Sequence, residues 1–349
     1  MKVLITGNLG YVGAPLTQLL ARGGHTVIGY DSGFFLGCVT SQDRPSETAL
    51  ARQVYGDIRA FDPELLNGVD AVVHLSALSN DPMGQKFETL TADINQACSV
   101  RLAEWAAKRG VKNFVFASSC SVYGAGSDRP RREEDELNPL TAYARSKIGT
   151  ELELATADTS AMNVSCLRFA TACGMSYRLR LDLVLNDLVL NALLDKTIRV
   201  LSDGSPWRPL IDVSDMARAI VWAAGRSQSD GGRFLVVNAG RDEWNYQVKD
   251  LADAVAAEIP GSAVSINKDA SPDKRSYRVN FEKFRGLAPD AIPVLGLQES
   301  IRRLRDGIDK MLSSGARETL PRYKRLVELE RLVAQNQLAP DLTWKQPSL

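Results

Sequence analysis

An α/β fold is what three features of this 349-residue sequence predict: a doubly wound parallel sheet followed by a smaller α/β portion. Short apolar, β-branched runs alternate with helical periodicity through the first half. The first run, Val3-Leu4-Ile5, is apolar throughout, as a strand buried on both faces should be. It leads at once into a turn with glycines at 7, 10 and 13. An amphipathic helix follows, with Leu16, Leu19 and Leu20 on one face and Pro15 in the first turn, where a helix tolerates it.

The other elements follow in order. Residues 25–30 read as a strand ending at Asp31, and 32–50 as a loop. Residues 53–58 read as a short strand ending in Asp57, and 70–77 as a strand leading into Leu78-Ser79-Asn80-Asp81-Pro82. A helix from Thr89 to Arg109, closed by Gly110, precedes a strand over 111–119. Loop 125–139 is rich in proline and charge, Tyr143 to Ala157 is helical, and 164–169 is a strand. The second half is less regular. Helices are predicted over 181–194, 212–224 (Asp212 or Ser214 as N-cap), 248–257, 298–312 and 321–337, with strands over 196–201 and 234–238. The last helix is highly charged and reads as a solvated face or an arm over a neighbouring subunit. There is no internal repeat.

Forty-two basic residues balance forty-two acidic ones, so no charge excess points to nucleic acid or an anionic membrane. There is no apolar run near 18 residues and no basic segment leading into one, which predicts a soluble, cytoplasmic protein. Cys38, Cys98, Cys120, Cys166 and Cys173 form no CxxC pair and read as reduced, buried thiols. With only His25 and His74, no His-based metal site is expected.

A strand-to-helix turn rich in glycine presents free N–H groups and a helix dipole to a pyrophosphate. Gly7 permits the tight turn, Gly10 lets backbone approach phosphate, and Gly13 lets helix pack on strand. Asp31 lies about 20 residues on, where a carboxylate binds the adenosine ribose hydroxyls of a dinucleotide. It would repel a 2′-phosphate, which favours NAD over NADP. Tyr143 and Lys147, four residues apart, share one helix face. A neighbouring lysine cation, together with the positive nicotinamide of NAD⁺, is expected to lower the phenol pKa and make the pair a proton carrier at an alcohol or sugar oxygen.

With these residues in hand, the sequence resembles the extended short-chain dehydrogenase/reductase family, within it the NAD-dependent nucleotide-sugar epimerases and dehydratases, from residue 1 to about 312. The carriers are the Gly7–Gly13 turn with Tyr11 and Val12, Asp31, Asp57-Ile58, His74-Leu75-Ser76-Ala77 and Asn95. Ser118 to Gly124, Tyr143 with Lys147, Arg168-Phe169 and Arg208 complete them. The resemblance implies a Rossmann-type fold with Ser119, Tyr143 and Lys147 as the catalytic set. Lys147 would also hold the nicotinamide ribose, Asp57 and Ile58 the adenine. Leu75, Ser76, Ala77, Phe169 and Ala170 would wall the cofactor, with Asn95 also at its site.

For the substrate, the resemblance places Arg208 and Arg275 on a nucleotide diphosphate, which paired guanidinium hydrogen bonds suit; a surface ion pair is the alternative for each. Asn80 and Asp81 either line the sugar pocket or form a turn. Thr171 and Asp187 stand where the family usually has asparagine near the substrate phosphate. A carboxylate facing a diphosphate would cost affinity, so Asp187 points elsewhere or the substrate sits differently. The 4,6-dehydratases carry an Asp-Glu pair directly after the catalytic hydroxyl, where this chain has Cys120 and Ser121, so dehydration has no proton carriers there.

The expected function is therefore epimerisation of a nucleotide-diphosphate sugar by transient oxidation to a keto sugar with bound NAD. A nucleotide-keto-sugar reductase and a non-catalytic dinucleotide-binding protein are the alternatives. The expected domains are an NAD-binding part, 1–170 with 206–240, a substrate-binding part, 171–205 with 241–312, and a charged helical extension, 313–349. The resemblance also implies a homodimer through helices 89–109 and 143–157, with Leu102, Trp105 and Leu152 as apolar residues that take outer positions or face the sheet.

Overall fold

The computed structural model describes residues 1–40, 45–125, 129–159, 161–267, 269–270 and 275–345. Parts of the predicted loops 32–50 and 125–139 lie outside them. In chain order the strands are β1 (Lys2–Thr6), β2 (Thr26–Asp31), β3 (Arg52–Tyr55), β4 (Ala71–His74), β5 (Asn113–Ser119) and β6 (Asn163–Phe169). Then come β7 (Thr171–Cys173), β8 (Thr197–Val200), β9 (Trp207–Asp212), β10 (Phe234–Ala239), β11 (Asn245–Gln247) and β12 (Ala263–Ile266).

Seven of these form one parallel sheet in the order β10-β6-β5-β4-β1-β2-β3. The order reverses at β1, so a crevice opens beyond the carboxyl ends of β1 and β4, where such sheets bind ligands. Alternation along β1 sends Val3 and Ile5 into one core and Leu4 into the other. Leu16 and Leu20 of helix Gly13–Arg22 and Ala217 and Ile220 of helix Val213–Gly225 share the first core. The second holds Leu102 and Ala106 of helix Cys98–Lys108. A third core lies beyond the sheet, built on helices Val184–Asp195, Val248–Glu258 and Leu297–Ser313. It carries the parallel pair β8–β12, while β9 sits between β7 and β11 in a small sheet of its own.

Several expectations are revised. The third strand ends at Tyr55, because the Asp57 carboxylate captures the Arg59 amide and caps a 3-10 turn, Ile58–Ala60. Helix 89–109 is interrupted by a π-turn, Asp93–Ala97, with Asn95 inside it. The strands at 171–173, 207–212, 245–247 and 263–266 were not predicted; they are three to six residues long, below what periodicity resolves. Leu102 is wholly buried under the sheet and Trp105 stacks on Phe61 (centroids 6.3 Å apart), so only Leu152, 63 % exposed, is an outer apolar position.

The C-terminal extension departs most. Pro321 shortens the predicted helix: a 3-10 stretch, Ala316–Tyr323, precedes helix Arg325–Ala334. It is not wholly a solvated face. It folds back on its own chain, burying Leu329, Leu332, Leu338 and Leu342 in the second core. Its buried Glu328 takes hydrogen bonds from Arg322 and Arg331. Trp344 donates to the Ser32 carbonyl (2.6 Å), and Arg59 to that of Asp341 (2.9 Å).

Candidate active site

Every predicted site residue except Asn95 lines one cleft of about 800 Å³ at the carboxyl ends of the central strands. Its floor is the glycine turn. Gly7, at φ +78°, donates to the Tyr30 carbonyl (2.8 Å), and Gly10 donates to that of Gly7 (3.0 Å). Helix Gly13–Arg22 begins with no side-chain cap at Val12, which leaves its first turn to an external acceptor. A Cβ on Gly13 would lie 2.5 Å from the Gly7 carbonyl oxygen and 2.6 Å from Asn8, so only glycine lets the turn close this tightly. Tyr11 and Val12 face the cleft, the Tyr11 hydroxyl donating to the Gly174 carbonyl (2.6 Å).

Asp31 ends β2 and faces the same space, its two oxygens accepting from the amides of Leu9 (3.1 Å) and Gly33 (2.8 Å). Burial raises its pKa against these amides and against the charges of Arg178 and Arg325. Asp57, held by Arg59, and Ile58 lie beside it; Leu75, Ser76 and Ala77 form one wall, Phe169, Ala170 and Thr171 another. These residues fit a dinucleotide: a glycine cradle that a Cβ would fill, and a carboxylate with acceptor capacity left for ribose hydroxyls. Asn95 is a correction. It is wholly buried, accepts from Leu78 N (2.8 Å) and donates to the Leu78 carbonyl (3.1 Å) and Ser146 (3.2 Å), so it fixes the chain after β4 rather than facing the cleft.

The proton-carrying residues meet at the other end. Helix Ala142–Thr156 is capped by Thr141, whose hydroxyl accepts from Ala144 N (3.1 Å), and this sets Tyr143 at the helix start. The Ser119 hydroxyl, at the end of β5, accepts from Ser121 N (3.1 Å) and acts on the Tyr143 phenol, whose pKa it lowers. One turn on, Lys147 is buried, donates to the Ala117 carbonyl (2.7 Å) and sits 4.5 Å from the Phe116 ring centre. Burial lowers its pKa to about 8, with Glu151 opposing. Without a cofactor, burial pushes Tyr143 up to about 12, with Asp81 adding to the rise, while Arg180 and the Ser119 hydroxyl oppose it. Behind this set, Glu151 holds Arg168 (2.7 Å) and Ser118 (2.5 Å), a buried scaffold under helix and strand. Cys120 is buried away from the cleft and burial raises its thiol well above the ordinary value, whereas Ser121 faces the cleft with its hydroxyl unpartnered.

On the substrate side both readings of Asn80 hold: it caps helix Asp81–Lys86 through Met83 N (2.9 Å), and it lines the cleft, donating to Asp182 (2.9 Å). Asp81 joins Thr141 (2.7 Å) to Arg275 (2.9 Å). Arg275 is thus ion-paired, and Arg208 donates to the Arg275 carbonyl, which sets the two arginines side by side. Lys274, next to them in sequence, lies outside the described residues. Asp187 does face the cleft, and its charge is answered by Lys324 of the C-terminal arm (2.9 Å). The sequence reading missed Arg180, Asp182, Lys324 and Arg325. Arg180 donates to Asp182 (2.9 Å) and Ser79 (3.0 Å), and its charge acts on Tyr143. No local motif marks these residues; they meet only because the arm returns.

Sheet order, glycine turn, ribose-facing carboxylate and the Ser119–Tyr143–Lys147 grouping define a dinucleotide-dependent α/β enzyme. Residues 3–240 match the NAD dependent epimerase/dehydratase family, and the chain belongs to it. A relative described as an uncharacterized UDP-glucose epimerase, YtcB of Bacillus subtilis, is 30% identical over 250 residues, 69% of this chain and 78% of its own. The UDP-glucose 4-epimerase of Corynebacterium glutamicum is 25% identical over 281 residues, covering 76% and 82%. Among solved structures, a UDP-glucose-4-epimerase from Stenotrophomonas maltophila with bound NAD and formylated UDP-arabinopyranose superposes with a TM-score of 0.76 at 25% identity, over 90% of this chain and 99% of that one. MoeE5 in complex with UDP-glucose and NAD gives 0.76 at 25% identity, over 89% and 100%.

Proposed function

We propose that this protein epimerises a nucleoside-diphosphate sugar, with NAD retained in the cleft and Ser119, Tyr143 and Lys147 as its working residues. The observation that carries the reading is that Ser119, Tyr143 and Lys147 line the same cleft as the glycine turn and Asp31. Bound NAD would supply the hydride acceptor and donor, and a positive nicotinamide ring near the phenol.

The rest is the work of the chain. Ser119, its lone pair steered by Ser121 N, orients the reacting sugar oxygen. Tyr143 takes the proton from that oxygen and returns it; a phenol raised to about 12 is protonated at pH 7 and needs a nearby cation to act as base. Lys147, locked on the Ala117 carbonyl, supplies that cation and a donor for the nicotinamide ribose. The unpartnered Ser121 hydroxyl is a ready contact for a sugar hydroxyl. Arg208 and Arg275 flank the diphosphate. With Cys120 buried and no carboxylate after Ser119, dehydration lacks its acid and base. We read 1–170 with 206–240 as the cofactor-binding part and 171–205 with 241–312 as the substrate part, and we expect a cytoplasmic homodimer joined through helix Ala142–Thr156 and its exposed Leu152.

The test is incubation with UDP-glucose and other nucleotide sugars without added cofactor, followed by NMR. Interconversion of epimers is expected, and Tyr143→Phe should keep NAD while turnover falls about 10²–10⁴-fold. Consumption of one NADH per turnover would instead identify a reductase, and undiminished turnover in Tyr143→Phe would overturn the catalytic assignment.

A further inference from the structure

Arg325 is the one residue of the C-terminal arm that brings into the cleft, among the described residues, a positive charge with no ion pair at contact distance. It is 2 % exposed, it lines the cleft, and its Nη1 has no hydrogen-bond partner. Nη2 donates to the Arg178 carbonyl (3.2 Å), and the guanidinium lies 4.3 Å from the Phe35 ring centre. Neither is a charge. The two neighbouring guanidinium groups are answered: Arg178 by Glu47 and Arg180 by Asp182. Asp182 meets Arg325 through the backbone amide (3.2 Å), not the side chain. Burial lowers the Arg325 pKa to about 10, and the charges of Arg180 and Arg178 push the same way. Asp182 and Asp31 act on this charge only from beyond contact distance, so a buried guanidinium with a free donor is left to receive an anion.

The location selects the anion. Arg325 lines the same cleft as the glycine turn and acts electrostatically on Asp31, whose oxygens already hold two backbone amides and would hold the ribose hydroxyls of a bound dinucleotide. Between a ribose at Asp31 and the helix start at Gly13, the charged portion of a dinucleotide is its pyrophosphate. We infer that Arg325 binds a phosphate group of the cofactor, the pyrophosphate, so that the C-terminal arm completes the NAD site. This rests on NAD binding but not on epimerisation, so it survives if the sugar chemistry proves different.

The experiment measures equilibrium binding of NAD, ADP-ribose, NADP and adenosine (the last by competition) to cofactor-stripped full-length protein, wild type, Arg325→Gln and Arg325→Lys. Arg325→Gln should weaken NAD and ADP-ribose about 10- to 100-fold and leave adenosine within about twofold, since a charge-assisted hydrogen bond is lost. Arg325→Lys should recover part of the loss, and the loss should shrink as salt is raised. Equal weakening of adenosine would mean a collapsed pocket and overturn the proposal, as would unchanged NAD affinity. Weakening of NADP alone would assign Arg325 to a 2′-phosphate and overturn the pyrophosphate assignment.

Discussion

The two ends of the cleft are built by opposite means. At the glycine turn the protein presents backbone: Gly7, Gly10 and Gly13 bring main chain close to the ligand, and the helix start supplies the field. At the other end it presents paired charges, Asp187 with Lys324 and Asp81 with Arg275 from distant segments and Arg180 with Asp182 from neighbouring positions. The first end is local in sequence and intolerant of any added atom. The second is assembled from segments more than 100 residues apart and can lose a partner by degrees.

The comparison predicts its own breaking points. Gly13→Ala should be the most damaging, because the new Cβ meets backbone on two sides; a cost on the order of 3 kcal/mol is expected, with NAD binding lost. Gly10→Ala meets a single atom at 3.1 Å and should be milder. Thermal melts with NAD titration would show it, and wild-type affinity in Gly13→Ala would refute the backbone account.

At the charged end, Glu328→Gln weakens the bonds that fold the arm and should cost about 1–3 kcal/mol, read as faster hydrogen exchange over 325–342. Acid should do the same. Burial alone would raise the pKa values of Asp182 and Glu328, but Arg180 overcomes it for the first and Arg331 with Arg322 for the second, so both lie below the ordinary values of 3.8 and 4.5. Their stabilisation is complete above those values and drains away as pH falls through the lower folded ones, so the arm should loosen below about pH 4 while holding steady from 5 to 8. Exchange rates over 325–342 that stay flat down to pH 3 would contradict this.

The smallest effect belongs to Lys324→Gln. The pair with Asp187 is partly exposed and worth at most about 1 kcal/mol, so a rise of about fivefold in nucleotide-sugar KM is expected, with NAD affinity unchanged. Asp187→Asn in the same chain should restore it; failure to do so would mean that the two charges are not coupled.

The contrast also explains what could be read from residues alone. The glycine turn, Asp31 and Tyr143 with Lys147 are spacings within one element or one βαβ unit, so they stand out without a structure. Asn95 was placed at the cofactor because its position is familiar; that it faces Leu78 instead depends on the π-turn around it, which periodicity does not encode. The rise of the phenol pKa could not be read from residues alone, because it comes from burial and from Asp81, which the fold brings to Tyr143. Asp187 looked anomalous only while its partner, 137 residues away, was unplaced. The arm itself read as solvated because its charges dominate its composition; Glu328 and Arg325 turn out to be buried.

The return of the arm has a consequence for the order in which the molecule matures. Trp344 reaches the Ser32 carbonyl across 312 residues, and Tyr323 reaches that of Val39 across 284. Most of the central sheet is synthesised long before those partners exist, and domains generally fold as they emerge, N-terminal part first. The cleft is therefore finished late, by residues 324–329. Until that segment has emerged, the newborn protein has its glycine turn in place but not Lys324, Arg325 or Leu329 along the cleft.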